Sequence, residues 1–286
     1  MNSSLEDTKF ILRKYNIVAN KRLGQNFLIN DDVIENIIEA ANIEEKDLVI
    51  EIGPGLGTLT SKLLEKAGKV IAIELDEKMI TILKDRFKLY NNFILLNEDV
   101  LKVDLNMLIQ ENIANLEKVK VVANLPYYIT TPIIMKLLED KLSIHSITVM
   151  VQKEVADRIT AIPGDKLSGA ITYSVNYYAE AKKVVFVDKS SFIPAPEVDS
   201  EVIKLDIREK PVVEVDNESM FFKIIKASFM QRRKTLVNGL VNSGIITDKV
   251  KIKEIFDNIG LDINTRGEKL TIEQFAKLSN LIYRDI

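Results

Sequence analysis

The sequence contains no cysteine and one histidine, His145. The absence of cysteine excludes disulfide bonds, thiolate zinc sites and cysteine nucleophiles, and it is compatible with a reducing compartment. A single histidine argues against a multi-histidine metal site and a Ser-His-Asp triad, so we predict that no metal ion is bound. His145 directly precedes a predicted strand, where we expect it to have a structural or surface role.

Long apolar runs are also missing. No stretch approaches the roughly 20 apolar residues that span a bilayer. The first 14 residues include Glu6 and Asp7 and lack the apolar core of a signal peptide. Hydrophobic residues nevertheless make up 47% of the 286 residues, which is enough to build a large core. We therefore expect a cytoplasmic protein, and we expect it to be a monomer.

The formal net charge of −3 is unevenly distributed along the chain. Residues 1–30 carry a net charge of +3 and residues 209–286 a net charge of +2, so residues 31–208 carry −8. The densest basic block, residues 223–234, contains no acidic residue. Such a block is equally compatible with a solvated helix face and with a surface that binds phosphates.

Strand and helix patterns alternate between residues 31 and 208. Short apolar runs predict strands at 47–52, 69–74, 93–96, 119–123 and 146–151. Repeated strand–helix units of this length predict a parallel sheet with helices on both faces. Two later runs, 184–187 and 202–207, are expected to meet as an antiparallel edge.

The pattern changes after Pro211. Helices are predicted at 221–240, 249–259 and 271–283, and no strand is evident among them. We therefore divide the chain into an α/β catalytic domain, residues 1–210, and a small all-α C-terminal domain, residues 211–286.

Three signals for a cofactor follow three successive predicted strands. Gly53 and Gly55 stand in a turn where glycine lets a ligand approach the backbone, which makes both candidate cofactor contacts. Glu74 can bind the two hydroxyls of a ribose, and Asp99 can accept a hydrogen bond from an adenine amino group. Pro54 removes an N–H donor that a pyrophosphate could use. Together these features favour S-adenosylmethionine over NAD.

The tetrapeptide Asn124-Leu125-Pro126-Tyr127 follows the fourth of these strands. The side-chain oxygen of Asn124 and the carbonyl oxygen of Leu125 can accept both hydrogens of an exocyclic amine. Two such bonds pull the N–H groups out of plane and localise the nitrogen lone pair toward an incoming methyl group. Tyr127 would stack on the base, and Phe192, held outward by the prolines that follow it, would cover the second face of a flipped base.

The basic N-terminal segment contains a further candidate loop. Gly24 permits a turn, Asn26 can form a hydrogen bond with a ligand, and Lys21 and Arg22 suit phosphates. Taken alone, this segment is more typical of an ordinary loop.

Taken together, these motifs resemble the small-subunit ribosomal RNA adenine dimethyltransferase (dimethyladenosine transferase, KsgA/RsmA) family. The matching segments are 23–28, 51–58, 124–127, 192–200 and 231–236. The resemblance implies a Rossmann-like, S-adenosylmethionine-dependent methyltransferase sheet with a small all-α C-terminal domain that docks on the RNA and the ribosome. It also implies dimethylation of N6 of two adjacent adenosines in the 3′-terminal hairpin loop of small-subunit (16S) rRNA, within an assembling 30S particle.

The same resemblance assigns residues by motif match. It implies cofactor contacts from Asn26, Leu28, Gly53, Glu74, Asp99 and Asn124. It implies that the target adenine is held by Asn124, Leu125, Tyr127 and Phe192. Basic residues toward both chain ends would hold the flanking phosphates, namely Lys21, Arg22, Lys223, Arg232, Arg233 and Lys234.

Three other functions remain open at this point. A large-subunit rRNA dimethyltransferase of the antibiotic-resistance type shares the catalytic motifs. A DNA or protein-glutamine amino methyltransferase would use the same acceptor geometry. A non-catalytic ribosome-assembly factor could keep the fold without the chemistry, although the intact set of Glu74, Asp99 and Asn124 argues against it.

Overall fold

The structure is a computed structural model that describes residues 3–20, 24–231 and 234–285. It divides into two compact units. The sheet unit comprises the chain up to Ala156 together with Ala181–Ile207, and the helical unit comprises Asp157–Glu180 together with the chain from Arg208 onward.

The strands of the structure are β1 (Phe27–Leu28), β2 (Asp47–Ile52), β3 (Lys69–Glu74), β4 (Phe93–Asn97), β5 (Lys118–Asn124), β6 (Ser146–Gln152), β7 (Ala179–Val187), β8 (Phe192–Ile193) and β9 (Ser200–Ile207). A seven-stranded sheet forms the centre of the sheet unit, in the order β4-β3-β2-β5-β6-β9-β7. Strands β2 to β6 pair in parallel along β4-β3-β2-β5-β6, and β9 runs antiparallel to β6. Two short strands, β1 and β8, pair separately.

The fold class predicted from the sequence is confirmed. The five predicted parallel strands correspond to β2–β6, and the predicted antiparallel partner corresponds to β9, with Ser146 opposite Asp206. The run predicted as a strand at 184–187 is the end of a longer strand, β7.

Helices follow most strands of the sheet unit, and several begin at a side-chain cap. Asn30, Asp76 and Asp104 each accept a hydrogen bond from a backbone N–H of the helix that they precede. The helices are α1 (Ser4–Lys14), α2 (Asp31–Ala41), α3 (Thr58–Lys66), α4 (Glu77–Phe87), α5 (Leu105–Asn112), α6 (Thr130–Glu139) and α7 (Lys153–Ile159), the last of which crosses into the helical unit.

The helical unit contains α8 (Ala170–Tyr178), α9 (Glu218–Met230), α10 (Leu236–Asn242), α11 (Lys249–Asn258) and α12 (Ile272–Asp285). The single helix predicted at 221–240 is wrong, because Gln231 leaves helical geometry and the hydroxyl of Thr235 caps a new helix. Across the described residues, no helix is both long enough and apolar enough to cross a membrane.

The division between the units differs from the one predicted at residues 210/211. The junction at 207/208 is close to that boundary, but residues 157–180 group with the helical unit. Tyr173 and Tyr177 explain this grouping, because both lie in the helical unit's hydrophobic core. The Tyr173 hydroxyl also donates to the carbonyl oxygen of Leu270, at 2.6 Å. The local sequence pattern of residues 157–180 does not indicate that they group with the C-terminal helices.

A buried ion pair joins two neighbouring strands of the sheet unit at their N-terminal ends. Lys120 Nζ lies 2.6 Å from Asp47 Oδ2, and the two side chains are 3% and 1% exposed. The ammonium group also donates to the carbonyl oxygen of Asn42, and Asp47 accepts the backbone N–H of Glu44. Removing either partner would leave the other charge buried without compensation.

We predict that Lys120→Met lowers the free energy of unfolding by about 3–5 kcal/mol, because it leaves the buried Asp47 carboxylate without its countercharge. The double variant Lys120→Met/Asp47→Leu should recover much of that loss. Lys46→Met is the matched control, because Lys46 forms a 2.6 Å pair with Glu117 on the surface, where loss of a pair changes stability by at most about 1 kcal/mol. Urea unfolding measures all three, and equal losses for Lys120→Met and Lys46→Met would contradict the prediction.

Candidate active site

The order of the sheet creates a crevice at the carboxyl ends of β2 and β5. From β2, the chain continues to β3 and β4 on one side, whereas β5 and β6 lie on the other. Ligands of open parallel sheets bind at such a reversal of strand order. A cavity opens there in the sheet unit, and most of the predicted site residues line it, namely Asn26, Leu28, Gly53, Gly55, Glu74, Asp99, Asn124, Leu125 and Tyr127.

The glycine loop after β2 is held in a conformation that other residues rarely adopt. Gly53, Gly55 and Gly57 all have positive φ, at 68°, 56° and 83°. At Gly57, an added Cβ would lie 2.5 Å from Cε2 of Phe87, because α4 packs directly over this turn. The loop therefore presents backbone, with no side chain, at its closest approach to α4.

Glu74 stands at the end of β3 with both carboxylate oxygens engaged by backbone. The N–H of Gly55 donates to Oε2 at 3.2 Å, and the N–H of Asp76 donates to Oε1 at 2.9 Å. Burial raises the pKa of Glu74 above its ordinary value, while these backbone bonds act in the opposite direction. The carboxylate is thus fixed in place beside the glycine loop, with further lone pairs that could accept from a ligand.

Glu51, which our sequence analysis did not single out, also lines the cavity. It lies within β2, is 1% exposed, and its Oε2 has no hydrogen-bond partner. Burial raises the pKa of Glu51 to about 8, the nearby charge of Glu74 adds to this, and the Thr60 hydroxyl offsets only part of it. A carboxyl group within an otherwise apolar buried strand was the signal in the sequence.

Asp99 lies just beyond the end of β4, on the same edge of the sheet. Its Oδ1 accepts the backbone N–H of Leu101 at 3.0 Å, which orients the carboxylate. Lys102 Nζ is 3.9 Å from the other oxygen and is largely exposed. Asp99 therefore faces the cavity as a partly solvated, oriented acceptor.

The acceptor tetrapeptide is tied to the N-terminal segment through Asn124. Nδ2 of Asn124 donates to the carbonyl oxygen of Asn26 at 3.3 Å. The next residue, Leu125, donates its backbone N–H to the carbonyl oxygen of Met150 in β6, at 3.2 Å. Because the amide nitrogen is used in the bond to Asn26, Oδ1 is the atom of Asn124 left to accept a hydrogen bond.

Tyr127 is held by a residue that the sequence analysis included only as part of a motif. Its hydroxyl lies 2.7 Å from Oγ of Ser200, which is fully buried at the start of β9. Burial raises the pKa of Tyr127, so the phenol is neutral at physiological pH. Its neighbour Tyr128, half exposed and also unforeseen, lines the cavity mouth beside Gly24.

The prediction that Phe192 projects outward is wrong. Its side chain is 3% exposed, packs in the hydrophobic core of the sheet unit and is not among the residues that line the cavity. The cause is the pairing of β1 with β8, in which Phe192 lies opposite Leu28. This pairing joins two stretches that are far apart in the sequence, so the local proline pattern could not reveal it.

The remaining predicted residues are not among those that line the cavity, or they lie outside the described residues. Lys223 and Lys234 are exposed in the helical unit. Lys21, Arg22, Arg232 and Arg233 lie outside the described residues. His145 is exposed, and its backbone N–H donates to the carbonyl oxygen of Val119 at 2.7 Å.

Comparison with known proteins gives consistent matches over nearly the whole chain. The family model described as "Ribosomal RNA adenine dimethylase" matches residues 16–284. A ribosomal RNA small subunit methyltransferase A from Clostridium acetobutylicum is 51% identical over 278 residues, covering 97% of this chain and 99% of the relative. One from Bacillus pumilus is 49% identical over 281 residues, covering 97% and 96%.

Solved structures agree with these matches. A dimethyladenosine transferase from Plasmodium falciparum superposes with a TM-score of 0.73 and 30% identity, covering 88% of this chain and 95% of the other. The 23S rRNA methyltransferase ErmE superposes with a TM-score of 0.68 and 24% identity, covering 90% and 100%. The second similarity, at that identity, concerns the fold alone.

We predict that the stability of Glu51→Gln relative to the unsubstituted protein increases with pH. In the folded protein the Glu51 carboxyl keeps its proton up to about pH 8, whereas in the unfolded chain it ionises near the ordinary value of 4.5. Between these values the folded state binds more protons, so ionisation of Glu51 in the unfolded chain lowers the free energy of unfolding progressively as pH rises.

Glutamine does not ionise, so its advantage should grow between about pH 5 and pH 8, by at most about 1.4 kcal/mol per pH unit. Urea unfolding of both proteins without cofactor, at both ends of this range, measures the difference. A difference independent of pH would show that the pKa of Glu51 is not raised by burial.

Proposed function

The chain belongs to the ribosomal RNA adenine dimethylase family, and we propose that its cavity carries out the two successive methylations with the residue roles set out below. The protein is an N6-dimethyltransferase that acts on adenines of small-subunit rRNA, and its cofactor is S-adenosylmethionine. Its activity belongs to ribosome biogenesis.

The residues around the cavity suit this cofactor. Glu74 and Asp99 supply oriented carboxylates for the ribose and the adenine amino group, and the glycine loop exposes backbone between them. Asn26 and Leu28 complete the wall on the side of the N-terminal segment. When bound, S-adenosylmethionine supplies an electrophilic methyl group on a positively charged sulfur, a charge that acidic walls favour.

The orientation of the Asn124 amide is the observation that carries the proposed acceptor site. Because Nδ2 is bonded to Asn26, Oδ1 is presented as an acceptor, and the Leu125 carbonyl supplies the second acceptor. In the first methylation, an adenine N6 that donates to both oxygens loses conjugation with its ring and becomes a better nucleophile. In the second, the monomethylated nitrogen has one N–H left and can donate to one of the two oxygens. The alkylated nitrogen is strongly acidic and releases its proton to solvent, so no side chain needs to act as a base.

Tyr127 provides the stacking surface for the target base. Base–aromatic stacking contributes roughly 1–3 kcal/mol per base. The bond to Ser200 fixes the position of the hydroxyl end of the ring. Because Phe192 is buried in the core, the proposed platform rests on Tyr127.

Recognition of the wider RNA is proposed from charge and from the family. Exposed Lys223 and Lys234 in the helical unit are suited to backbone phosphates, in line with the assignment of this unit to RNA docking. We further propose that the enzyme acts as a monomer in the cytoplasm, on small-subunit RNA within an assembling 30S particle. The small-subunit substrate is supported by the matching motifs and by relatives named for the small subunit.

We predict that Asn124→Ala lowers methyl transfer at least about 100-fold, because it removes one of the two acceptors, without lowering the unfolding midpoint. The matched control is Asn106→Ala, since Asn106 also donates its amide to a backbone carbonyl, but on the exposed face of α5. The measurement is mass spectrometry of the 3′ fragment of small-subunit rRNA after incubation with enzyme and S-adenosylmethionine.

Large-subunit RNA is incubated in parallel, since the antibiotic-resistance type of dimethyltransferase would modify that RNA instead. Dimethyladenosine in the small-subunit fragment, lost in Asn124→Ala and kept in Asn106→Ala, is the expected result. Full activity of Asn124→Ala would disprove the proposed acceptor site. Methylation of large-subunit RNA alone would disprove small-subunit RNA as the substrate.

We predict that Tyr127→Phe and Ser200→Ala have similar and non-additive effects. Both remove the same hydrogen bond while leaving the aromatic ring in place, so the double variant should match either single one. The expected change is a several-fold loss of kcat/KM for RNA, in keeping with one hydrogen bond, at unchanged affinity for S-adenosylhomocysteine. Additive losses would indicate that Ser200 and Tyr127 act separately.

A further inference from the structure

One arginine connects the glycine loop to the N-terminal helix. Arg86 lies in the last turn of α4, and its side chain is 18% exposed. Its Nη1 donates to the carbonyl oxygen of Leu56 at 2.7 Å, and its Nη2 donates to Oδ2 of Asp7 at 2.7 Å. Leu56 belongs to the glycine loop and lines the cavity, whereas Asp7 lies in the first turn of α1.

The loop depends on support from outside the cavity. Three glycines within five residues leave its backbone free to adopt many conformations in the unfolded chain, and positive φ must be maintained at each of them. Inside the loop, the N–H of Gly57 donates to the carbonyl oxygen of Pro54 at 2.9 Å. On its outer side, Phe87 packs against Gly57 and Arg86 binds the Leu56 carbonyl, so the end of α4 anchors the loop at consecutive residues.

A guanidinium group is suited to such a junction. Its planar N–H groups can donate to two acceptors in fixed directions. A carboxylate bound on one side fixes the orientation of the guanidinium group, so that its other N–H groups point at the second acceptor. Asp7 therefore orients the donor that holds Leu56. The helix that carries Asp7 ends at Lys14, before the family match begins at residue 16.

We propose that α1, through Asp7 and Arg86, holds the glycine loop in the conformation that binds the cofactor. Arg86 and Asp7 are positioning residues, because Arg86 contacts the loop, Asp7 contacts Arg86, and neither lines the cavity. The helix is itself secured by Thr8 and Ile11, which are buried in the sheet unit. The family's reaction thus depends, in this chain, on a segment outside the matched region.

The structure contains a matched control for this proposal. Lys14 Nζ lies 3.0 Å from Oδ2 of Asp85, and the Tyr15 hydroxyl bonds the same carboxylate. This contact joins the same two helices, α1 and α4, one residue away from Arg86, but it reaches the side chain of Asp85 and not the loop. Its side chains are about half exposed. If α1 merely stabilised the fold, both contacts would have comparable effects.

The test is calorimetric titration of the full-length protein with S-adenosylhomocysteine. The variants are Arg86→Met, Asp7→Asn, the double variant, and Lys14→Met as the control. We expect the Kd to rise about tenfold in Arg86→Met, which loses a charge-assisted hydrogen bond, and less in Asp7→Asn. The double variant should equal Arg86→Met. The control should stay within about twofold, because the contact of Lys14 reaches Asp85 and not the loop. At saturating cofactor, kcat and the KM for RNA should be unchanged in all four.

Two results would overturn the proposal. One is an unchanged Kd in Arg86→Met and Asp7→Asn, and the other is an equal rise in Lys14→Met. If Arg86→Met fails to fold, as judged by circular dichroism, the comparison of Asp7→Asn with Lys14→Met decides the question alone. The proposal rests on the cavity being the cofactor site, and failure of the unsubstituted protein to bind S-adenosylhomocysteine would refute that assignment instead.

Discussion

Backbone hydrogen bonds hold β2 between β3 and β5, with all three strands running in the same direction. Their register aligns Glu51 with Ala72 on one side and Val122 on the other, so the three carboxyl ends are level. The glycine loop, Glu74 and Asn124 then emerge at one edge, where the order of strands reverses. A slip of one residue would turn every side chain of the shifted strand to the opposite face of the sheet. The cavity exists because this register is maintained.

Four acidic residues line that cavity, Glu51, Glu74, Glu98 and Asp99, and the charge of Glu74 adds to the effect of burial on the pKa of Glu51. Burial raises the pKa of Glu51 and of Glu74, whereas Asp99 is more accessible to solvent. Backbone N–H groups keep Glu74 in place despite its burial, while Glu51 has one oxygen without a partner. A positive charge bound in this cavity would favour the ionised form of Glu51, so the binding of a cationic cofactor and the protonation of Glu51 would be linked.

Segments distant in sequence converge on the acceptor motif. Asn26 holds the amide of Asn124, and Ser200 holds the hydroxyl of Tyr127. The pairing of β1 with β8 joins the same two distant segments to each other, with Phe27 opposite Ile193. Behind the cavity, Arg86 extends this support to α1. The reacting groups are thus positioned by contacts from the N-terminal segment, the start of β9 and the end of α4, as a preorganised site requires.

The sequence by itself determined the strands, the glycine turn and the acids at the strand ends, because hydrophobic periodicity and glycine spacing are local properties. Parallel strands place their ends together, which is why Glu74, Asp99 and Asn124 could be predicted to share a site. Tertiary structure decided that Phe192 is buried, that Ser200 holds Tyr127 and that residues 157–180 join the helical unit. It also decided the raised pKa of Glu51. Each of these depends on contacts between residues far apart in the chain, which no local pattern records.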